Sequence, residues 1–181
     1  MIRSGTFVRL DTARHDRQGF DCGEPELNRF LREQAAKHER QEISRTWVLP
    51  DPDGTPDASG RAPIVAFFTL AYTAVDREDL PPEAAKRLPR WPIPVFLIGQ
   101  LAVARAFRGQ GLGSATLGVA LRRLVAVQDE QVPAHAVVVD CLDESVVAFY
   151  AERGFSPMNA PGPRPRMFLP MKTARRVVAD R

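Results

Sequence analysis

The sequence predicts an α/β fold: one domain over residues 1–181, with a mixed central sheet flanked by helices and a glycine-rich loop between the central strand and a long helix. Three observations predict it. VFLIGQLAV (95–103) is apolar almost throughout, which is typical of a buried strand. GLGSATLGVALRRLVAVQ (111–128) then has apolar residues at helical spacing. HAVVVDCL (135–142) is a second buried strand, so this half predicts a strand–helix–strand unit with a parallel pair.

The other elements follow from the same patterns, and the first half reads as antiparallel. A helix within 20–41 begins near Pro25, and a helix within 143–154 is closed by Gly154. RTWVL (45–49) and IVAFFTLAY (64–72) predict a hairpin around the loop PDPDGTPDASG. The remaining predictions are a strand at TFVRL (6–10), a short helix with a proline-rich turn in 76–92, and a last strand at MFLPMK (167–172).

Composition narrows the class of protein. A chain of 181 residues that is 44% apolar and 26% charged is long enough for the core of one globular domain. The longest apolar run, 62–72, is shorter than the ~20 residues of a membrane span, and the N-terminus has no signal-peptide core. We therefore expect a cytoplasmic protein without membrane contact. Cys22 and Cys141 lack metal-ligand spacing, so we expect two reduced thiols and no metal site.

The charge distribution is more informative than the net charge of +3. Residues 84–128 contain no Asp or Glu, so this stretch favours a positive potential suited to a polyanion. Solvated surface charge is the alternative explanation. The cations of the stretch are Lys86, Arg87, Arg90, Arg105, Arg108, Arg122 and Arg123.

The glycines that follow the central strand indicate close approach of the backbone to a phosphate. A P-loop requires a Lys after its last glycine, and none is present. The dinucleotide fingerprint requires a third glycine, where this chain has Ser114, and an early position in the chain. What remains is R-x-x-G-x-G, formed by Arg108, Gly111 and Gly113.

This loop resembles the acetyl-CoA pyrophosphate loop of the GCN5-related N-acetyltransferases, the GNAT superfamily, and DESVVAFYAERGF resembles a second segment of that family. The resemblance implies that the strand before the loop pairs with the pantetheine arm and that Tyr150 is the catalytic acid. Asp143 stands where the family usually has Asn. The implied cofactor-binding residues are Leu101, Ala102, Val103, Arg108, Gly109, Gln110, Gly111, Leu112, Gly113, Ser114, Asp143 and Phe149.

A finer resemblance, to the tRNA-acetylating GNAT toxins, extends over nearly the whole chain. It rests on FDCGEPELNRFL, SRTWVL, PIPVFLIGQLAV and the closing MFLPMK. It implies acetylation of the α-amino group of aminoacyl-tRNA, which stops translation, a homodimer, and neutralisation by a small ribbon-helix-helix antitoxin.

The chemistry of the residues agrees with such a substrate. The reference pKa of tyrosine, ~10, exceeds the ~8.5 of a thiol, so Tyr150 can protonate a departing thiolate. The acid-free stretch offers no general base, and His15, His38 and His135 are scattered. An α-amino group next to an ester has a low pKa and needs little help to lose a proton. The predicted phosphate contacts are Arg32, Lys37, Lys86, Arg87 and Arg90.

Three alternatives stay open at this point. A GNAT enzyme that acetylates a small amine is disfavoured by the acid-free stretch, because cationic substrates favour acidic pockets. An acetyltransferase acting on protein N-termini would also use a low-pKa amine. A non-catalytic module that senses acetyl-CoA or binds a partner would have no need of Tyr150.

Overall fold

The structure, a computed structural model, describes residues 5–179; residues 1–4 and 180–181, at the ends of the predicted domain, lie outside the described residues. The strands are β1 Val8–Arg9, β2 His15–Asp16, β3 Arg45–Pro50, β4 Ala62–Val75, β5 Ile93–Val103, β6 Ala136–Asp140, β7 Ser156–Pro157 and β8 Arg166–Pro170. The helices are α1 Pro25–Arg29, α2 Ala35–Arg40, α3 Pro82–Ala85, α4 Leu112–Glu130, α5 Val147–Ala151 and α6 Met171–Ala179. A π-helical turn, Phe30–Gln34, joins α1 to α2, and single 3₁₀ turns cover Arg77–Asp79, Arg105–Phe107 and Glu144–Val146.

The sheet is mixed, as predicted, with strand order β1-β3-β4-β5-β6-β8-β7. β3 and β4 form the predicted antiparallel hairpin, and β5 and β6 form the predicted parallel pair across helix α4. The sequence did not predict β2, which pairs in parallel with β4, or β7, which pairs antiparallel with β8. Both are two-residue strands, too short to produce an apolar periodicity.

The chain divides into two compact units. The first contains Gln100–Ala120 and the described residues up to Ala71, and the second contains Tyr72–Gly99 and the described residues from Leu121 onwards. Each unit has its own apolar core. The core of the first includes Phe20, Cys22, Phe30, Leu31, Ala35, Val48, Ile64, Phe67, Ala102 and Ala104. The core of the second includes Val75, Leu80, Ala85, Ile93, Val95, Ala136, Val138, Met158 and Phe168.

The first long helix contains a π turn that exposes one carbonyl to a side-chain donor. Pro25 occupies the first turn, where a missing N–H costs nothing, and Phe30 and Leu31 pack into the core. Within the π turn, the carbonyl of Arg32 accepts a hydrogen bond of 2.9 Å from the guanidinium of Arg17. A π turn interrupts the regular hydrogen-bond ladder, so such a carbonyl needs an outside donor.

Several predicted boundaries were wrong, and β1 covers only Val8–Arg9 of the strand predicted at 6–10. β4 is longer than predicted, and the helix predicted at 143–154 starts as a 3₁₀ turn and ends at Ala151. The last strand ends at Pro170, and Met171 begins the unpredicted helix α6, whose buried face includes Met171 and Ala174. Their three-residue spacing is helical, but only a short segment carries the signal.

Two further findings concern the described residues. None of the helices within 5–179 is long and apolar enough to cross a lipid bilayer. Cys22 and Cys141 are both buried free thiols, as predicted.

The structure predicts acid sensitivity through His15. This side chain is 6% exposed, and its Nδ1 atom accepts a 3.0 Å hydrogen bond from the main-chain N–H of Asp11. Burial lowers the pKa of His15 below 6.5, so the folded state binds the proton less readily than the unfolded state. The stability contributed by neutral His15 is therefore complete above pH 6.5 and is lost as the pH falls through the folded-state pKa.

We expect His15→Asn, which keeps an acceptor but cannot titrate, to reduce the fall in melting temperature between pH 7 and pH 5. Burial also lowers the pKa of His135, so adding His135→Asn should flatten the profile further. Thermal unfolding of the wild type and both variants across this range is the measurement. An unchanged pH profile in the double variant would contradict this account of the two histidines.

Candidate active site

The predicted pantetheine-binding residues lie at the end of β5, beyond its pairing with β6. The parallel register joins Phe96, Leu97 and Ile98 to Val137, Val138 and Val139. Leu101, Ala102 and Val103 complete the strand, with Ala102 in the core of the first unit. The strand therefore continues for several residues after its recorded register with β6 ends. Main-chain groups at such a position are suited to pairing with an extended ligand.

Within the first unit, this end of β5 is held by a buried side chain of β4. Thr69 is 1% exposed; its hydroxyl donates to Gln100 Oε1 at 2.7 Å and accepts from the Gln100 N–H at 2.9 Å. Just beyond the strand, the N–H of Ala104 donates to the carbonyl of Val65 at 2.7 Å. These bonds fix the direction in which the chain leaves the strand and enters the glycine loop.

The glycine loop has the backbone geometry that an anion site requires. Gly109 and Gly111 have φ of +76° and +75°, in the left-handed region that favours glycine, and no atom lies within 4 Å of a Cβ built on either. Gly111 directly precedes α4, whose first N–H groups have no partner within the helix. The loop thus presents exposed backbone at the positive end of a helix of 19 residues.

A segment before the first helix, Phe20–Glu24, packs against this loop; we call it the strap. It is held by Asn28, which is 8% exposed: Asn28 Oδ1 accepts from the N–H of Cys22 at 2.9 Å, and Asn28 Nδ2 donates to Asp21 Oδ1 at 2.9 Å. The N–H of Gly23 also donates to Asp21 Oδ1, at 2.7 Å. Hydrogen bonds from Gly23 and Asn28 hold the pKa of the Asp21 carboxyl below its ordinary value.

The strap in turn positions two arginines at the entrance to the loop. The guanidinium of Arg108 donates to the carbonyl of Cys22. Arg105 forms a 3.4 Å ion pair with Asp21, and its N–H donates to the Asp21 carbonyl at 2.8 Å. A Cβ on Gly23, which has φ +84°, would lie 3.2 Å from the Arg105 guanidinium. Sequence reasoning missed these contacts, since the hydrogen bonds from Arg105 and Arg108 to the strap join residues more than 80 positions apart.

Tyr150 lies on α5 in the second unit and is 8% exposed. Its ring packs edge-on against Phe149 and Phe155, with ring centroids 5.1 and 5.4 Å away. Burial, together with the nearby Cys141, raises the pKa of the Tyr150 hydroxyl well above its usual value. The hydroxyl makes none of the side-chain hydrogen bonds found within residues 5–179. Tyr150 is thus held as a protonated phenol, which is the form an acid catalyst needs.

Asp143 and Phe149 both have local structural partners. Asp143 Oδ1 accepts from the N–H of Ser145 at 2.8 Å and from its hydroxyl at 2.5 Å, so it caps the turn before α5. These hydrogen bonds hold the pKa of Asp143 below its ordinary value. The guanidinium of Arg153 lies over the Phe149 ring at 3.8 Å from its centroid. Cofactor contact by either residue stays a prediction.

The predicted phosphate contacts differ in their exposure and in whether other residues already bind their charged groups. Lys86, Arg87 and Arg90 are exposed, and the ion pairs within residues 5–179 include none of them. Lys37 on α2 is also exposed. Arg32 is partly buried and donates to the carbonyl of Phe20 at 2.7 Å, so it has a structural partner in the strap. Sequence reasoning cannot find such a partner, because the acceptor is a main-chain atom.

Comparison with known proteins identifies the class. The profile of the Acetyltransferase (GNAT) family matches residues 77–155. The chain is 33% identical over 165 residues to a tRNA-acetylating toxin of Mycobacterium tuberculosis, covering 91% of this chain and 92% of that protein. It is 31% identical over 174 residues to a protein of Sinorhizobium fredii named Probable toxin TacT, covering 92% of this chain and 91% of the relative. The chain therefore belongs to the GNAT family of acetyltransferases.

Solved structures agree with this assignment. AtaT complexed with acetyl-methionyl-tRNAfMet matches with a TM-score of 0.81 and 29% identity, covering 95% of this chain and 98% of that one. AtaTR bound with acetyl-CoA matches with a TM-score of 0.78 and 30% identity, covering 95% and 96% of the two chains. The protein is an acetyl-CoA-dependent N-acetyltransferase with a GNAT-type α/β domain, and acetyl-CoA is its cosubstrate.

The described residues fit that cosubstrate. Open space above Gly109 and Gly111 and the start of α4 suit a pyrophosphate, and the end of β5 suits an extended arm. Acetyl-CoA supplies the activated acetyl group as a thioester. Among residues 5–179, no cluster of three or more His, Cys, Asp or Glu side chains could hold a metal ion.

Replacement of Gly111 tests the prediction that the glycine loop binds acetyl-CoA. Gly111→Ala introduces a Cβ at φ +75° without meeting a protein atom, so the protein itself loses only about 1 kcal/mol of stability to backbone strain. We expect the KM for acetyl-CoA to rise about tenfold, which corresponds to ~1.4 kcal/mol of binding. Gly60→Ala is the matched control, since Gly60 has φ +76° and equally open surroundings in another loop. An equal KM for the two variants would remove Gly111 from the cofactor site.

Removal of the Tyr150 hydroxyl tests the prediction that Tyr150 is the catalytic acid. We expect Tyr150→Phe to lower kcat by about 10²–10⁴-fold, the contribution of a positioned acid, with the KM for acetyl-CoA nearly unchanged. The control is Tyr72→Phe, at the second of the two tyrosines, which is half exposed and donates to the carbonyl of Pro133 at 2.6 Å. Steady-state kinetics on both variants is the measurement. A kcat within threefold of wild type for Tyr150→Phe would exclude its role as the acid.

Proposed function

We propose that this enzyme is a toxin that transfers the acetyl group to the α-amino group of aminoacyl-tRNA and so blocks translation. The observation that carries the proposal is the similarity to tRNA-acetylating toxins along nearly the whole chain, with more than 90% of both proteins aligned. A relative of the same fold is known in complex with acetyl-methionyl-tRNAfMet, the product of such a reaction.

The state of Tyr150 supports the proposed chemistry. In acetyl transfer, the amine nitrogen forms a bond to the acetyl carbon while the carbon–sulfur bond breaks. The departing thiolate takes its proton from the Tyr150 phenol, whose pKa is raised by burial, and the proton that the amine nitrogen loses returns to the phenolate, so Tyr150 ends the cycle neutral. Main-chain N–H groups of Leu101–Val103 are our candidates for polarising the acetyl carbonyl. The cofactor contacts predicted for Arg108 to Ser114 belong to the same proposal.

The stretch 84–128 contains no carboxylate that could act as a general base, which supports an amine of low pKa. Two of the three histidines, His15 and His135, have pKa values lowered by burial, and His15 Nδ1 is occupied by a main-chain hydrogen bond. An α-amino group has a reference pKa of about 8, against about 10.4 for lysine, and an adjacent ester lowers it further. A substantial share of such an amine is already neutral near pH 7, so the enzyme needs only to position it.

The proposed tRNA contacts are Lys86, Arg87 and Arg90, with Lys37 as a further candidate. Because the first three are exposed and without ion pairs in the described residues, their charges are available to phosphates. A contact between Arg32 and tRNA stays a prediction with less support, since the guanidinium is engaged with Phe20.

The proposal extends to partners and location. A relative, the toxin AtaT, has been solved with the C-terminus of its antitoxin AtaR, and we propose an antitoxin of the ribbon-helix-helix type for this enzyme. We also propose a homodimer, in which two basic surfaces could serve one tRNA. The substrate requires a cytoplasmic location, because that is where charged tRNA is used.

The test is acetylation with radiolabelled acetyl-CoA of total aminoacylated tRNA, deacylated tRNA and a panel of polyamines. We expect label on aminoacylated tRNA alone, and none there with Tyr150→Phe. Mild alkaline hydrolysis of the aminoacyl ester should release the label as an N-acetyl amino acid. Label on polyamines without label on aminoacylated tRNA would refute the proposed substrate while leaving the enzyme class intact.

Charge reversal tests the tRNA contacts. We expect Lys86→Glu with Arg87→Glu to raise the KM for charged tRNA and to reduce the slope of log KM against log salt by about two, one for each lost phosphate contact. The KM for acetyl-CoA should stay close to that of the wild type. Lys172→Glu with Arg176→Glu is the control, since it reverses two exposed charges on α6 of the same unit. Equal tRNA kinetics for the two double variants would exclude Lys86 and Arg87 as contacts.

A further inference from the structure

Trp91 is largely exposed to solvent, which is unfavourable for its large apolar side chain. It is 69% exposed, the largest exposed fraction among the exposed large apolar side chains of residues 5–179. Tryptophan is highly buried on average, because its large apolar surface is poorly hydrated. No aromatic ring or guanidinium within residues 5–179 stacks on it, whereas the other tryptophan, Trp47, lies 5.6 Å from the Arg9 guanidinium.

The loop that carries Trp91 is short and anchored at both ends. It spans residues 86–92, between the end of α3 at Ala85 and the start of β5 at Ile93. Ala85 and Ile93 are both buried in the core of the second unit, and Leu88 packs against the same core. Pro89 and Pro92 restrict the backbone on either side of the tryptophan. The indole is therefore presented on a constrained loop, which reduces the entropy lost when a ligand orders it.

The same loop carries the three free cations. Lys86, Arg87 and Arg90 are exposed and unpaired in the described part of the chain, and the nearest preceding carboxylate is Glu83 in α3. A single nucleic-acid strand presents phosphates and base faces in alternation, so it matches a surface with cations beside an aromatic ring. A duplex does not, because its base faces are already stacked on one another.

We propose that Trp91 stacks on an unpaired base at the 3′ end of the tRNA substrate, while Lys86, Arg87 and Arg90 contact phosphates of the same strand. This inference rests on the proposed function, since it takes charged tRNA as the substrate. The 3′ end is the appropriate occupant because it is unpaired and carries the amino acid whose amine is acetylated. A tryptophan ring can stack on any base, so Trp91 would bind the 3′ end of every tRNA without sequence specificity.

The kinetic test compares three side chains at position 91. Trp91→Leu keeps an apolar side chain but removes the π face, and we expect it to raise the KM for charged tRNA by roughly 5- to 150-fold, the usual range for loss of one stacked base. Trp91→Phe retains a π face and should recover most of the affinity. The KM for acetyl-CoA should be unchanged in both. A tRNA KM within twofold of wild type for Trp91→Leu would overturn the proposal.

A binding measurement tests the stacking of Trp91 on RNA without any need for acetylation activity. In a Trp47→Phe background Trp91 is the single tryptophan, so its fluorescence reports on the loop alone. We expect an unpaired RNA trinucleotide to quench this fluorescence, and a stable blunt RNA duplex, supplied at the same total phosphate concentration, to leave it nearly unchanged. Equal quenching by the duplex, or none by the trinucleotide, would overturn stacking.

The two tests separate failure of the inference from failure of the proposed function. If the wild type acetylates no charged tRNA, the proposed function fails, and the fluorescence test still decides whether Trp91 stacks on unpaired RNA. If charged tRNA is acetylated equally by wild type and Trp91→Leu, the inference alone fails. Weaker antitoxin binding by Trp91→Leu, with unchanged tRNA kinetics, would make Trp91 part of a protein interface and would also overturn the proposal.

Discussion

One strand, β5, places the strongest constraint on this structure. Its first half pairs with β6 and packs into the core of the second unit, so those residues must be apolar. Its second half is held by Thr69 and continues past its register with β6 into the glycine loop. A single strand thus contributes to the sheet, to the core and to the position of the glycine loop, which is why a nearly continuous apolar run ends abruptly in glycines and arginines.

The catalysis proposed for this enzyme relies on a buried phenol and on a substrate amine that loses its proton readily. The Tyr150 phenol is buried among aromatic rings, and this burial raises its pKa further above neutral pH. The stretch 84–128 has no carboxylate that would stabilise a protonated amine. Burial lowers the pKa values of His15 and His135, so these side chains favour the neutral form. Selectivity for amines of low pKa would then follow from the amine itself, since a lysine side chain would arrive protonated.

The local parts of this structure could be predicted from the sequence, and the long-range parts could not. The buried strand, the glycine loop and the long helix are adjacent in the chain, so periodicity and glycine content were sufficient. The strap could not be predicted, because Asn28 holds main-chain atoms and Arg108 reaches a carbonyl 86 positions away. Arg32 and Trp91 show the same limit: sequence gives the charge or the ring, and only the fold gives its partner or its exposure.

The strap connects an early segment of the chain to the glycine loop. Cys22 offers its carbonyl to Arg108 only while Asp21 and Asn28 keep the segment in place. A mutation or a bound protein that displaced this segment would remove the carbonyl that accepts a hydrogen bond from Arg108 of the glycine loop. Displacement of the strap would therefore disturb the glycine loop from a segment more than 80 residues earlier in the chain.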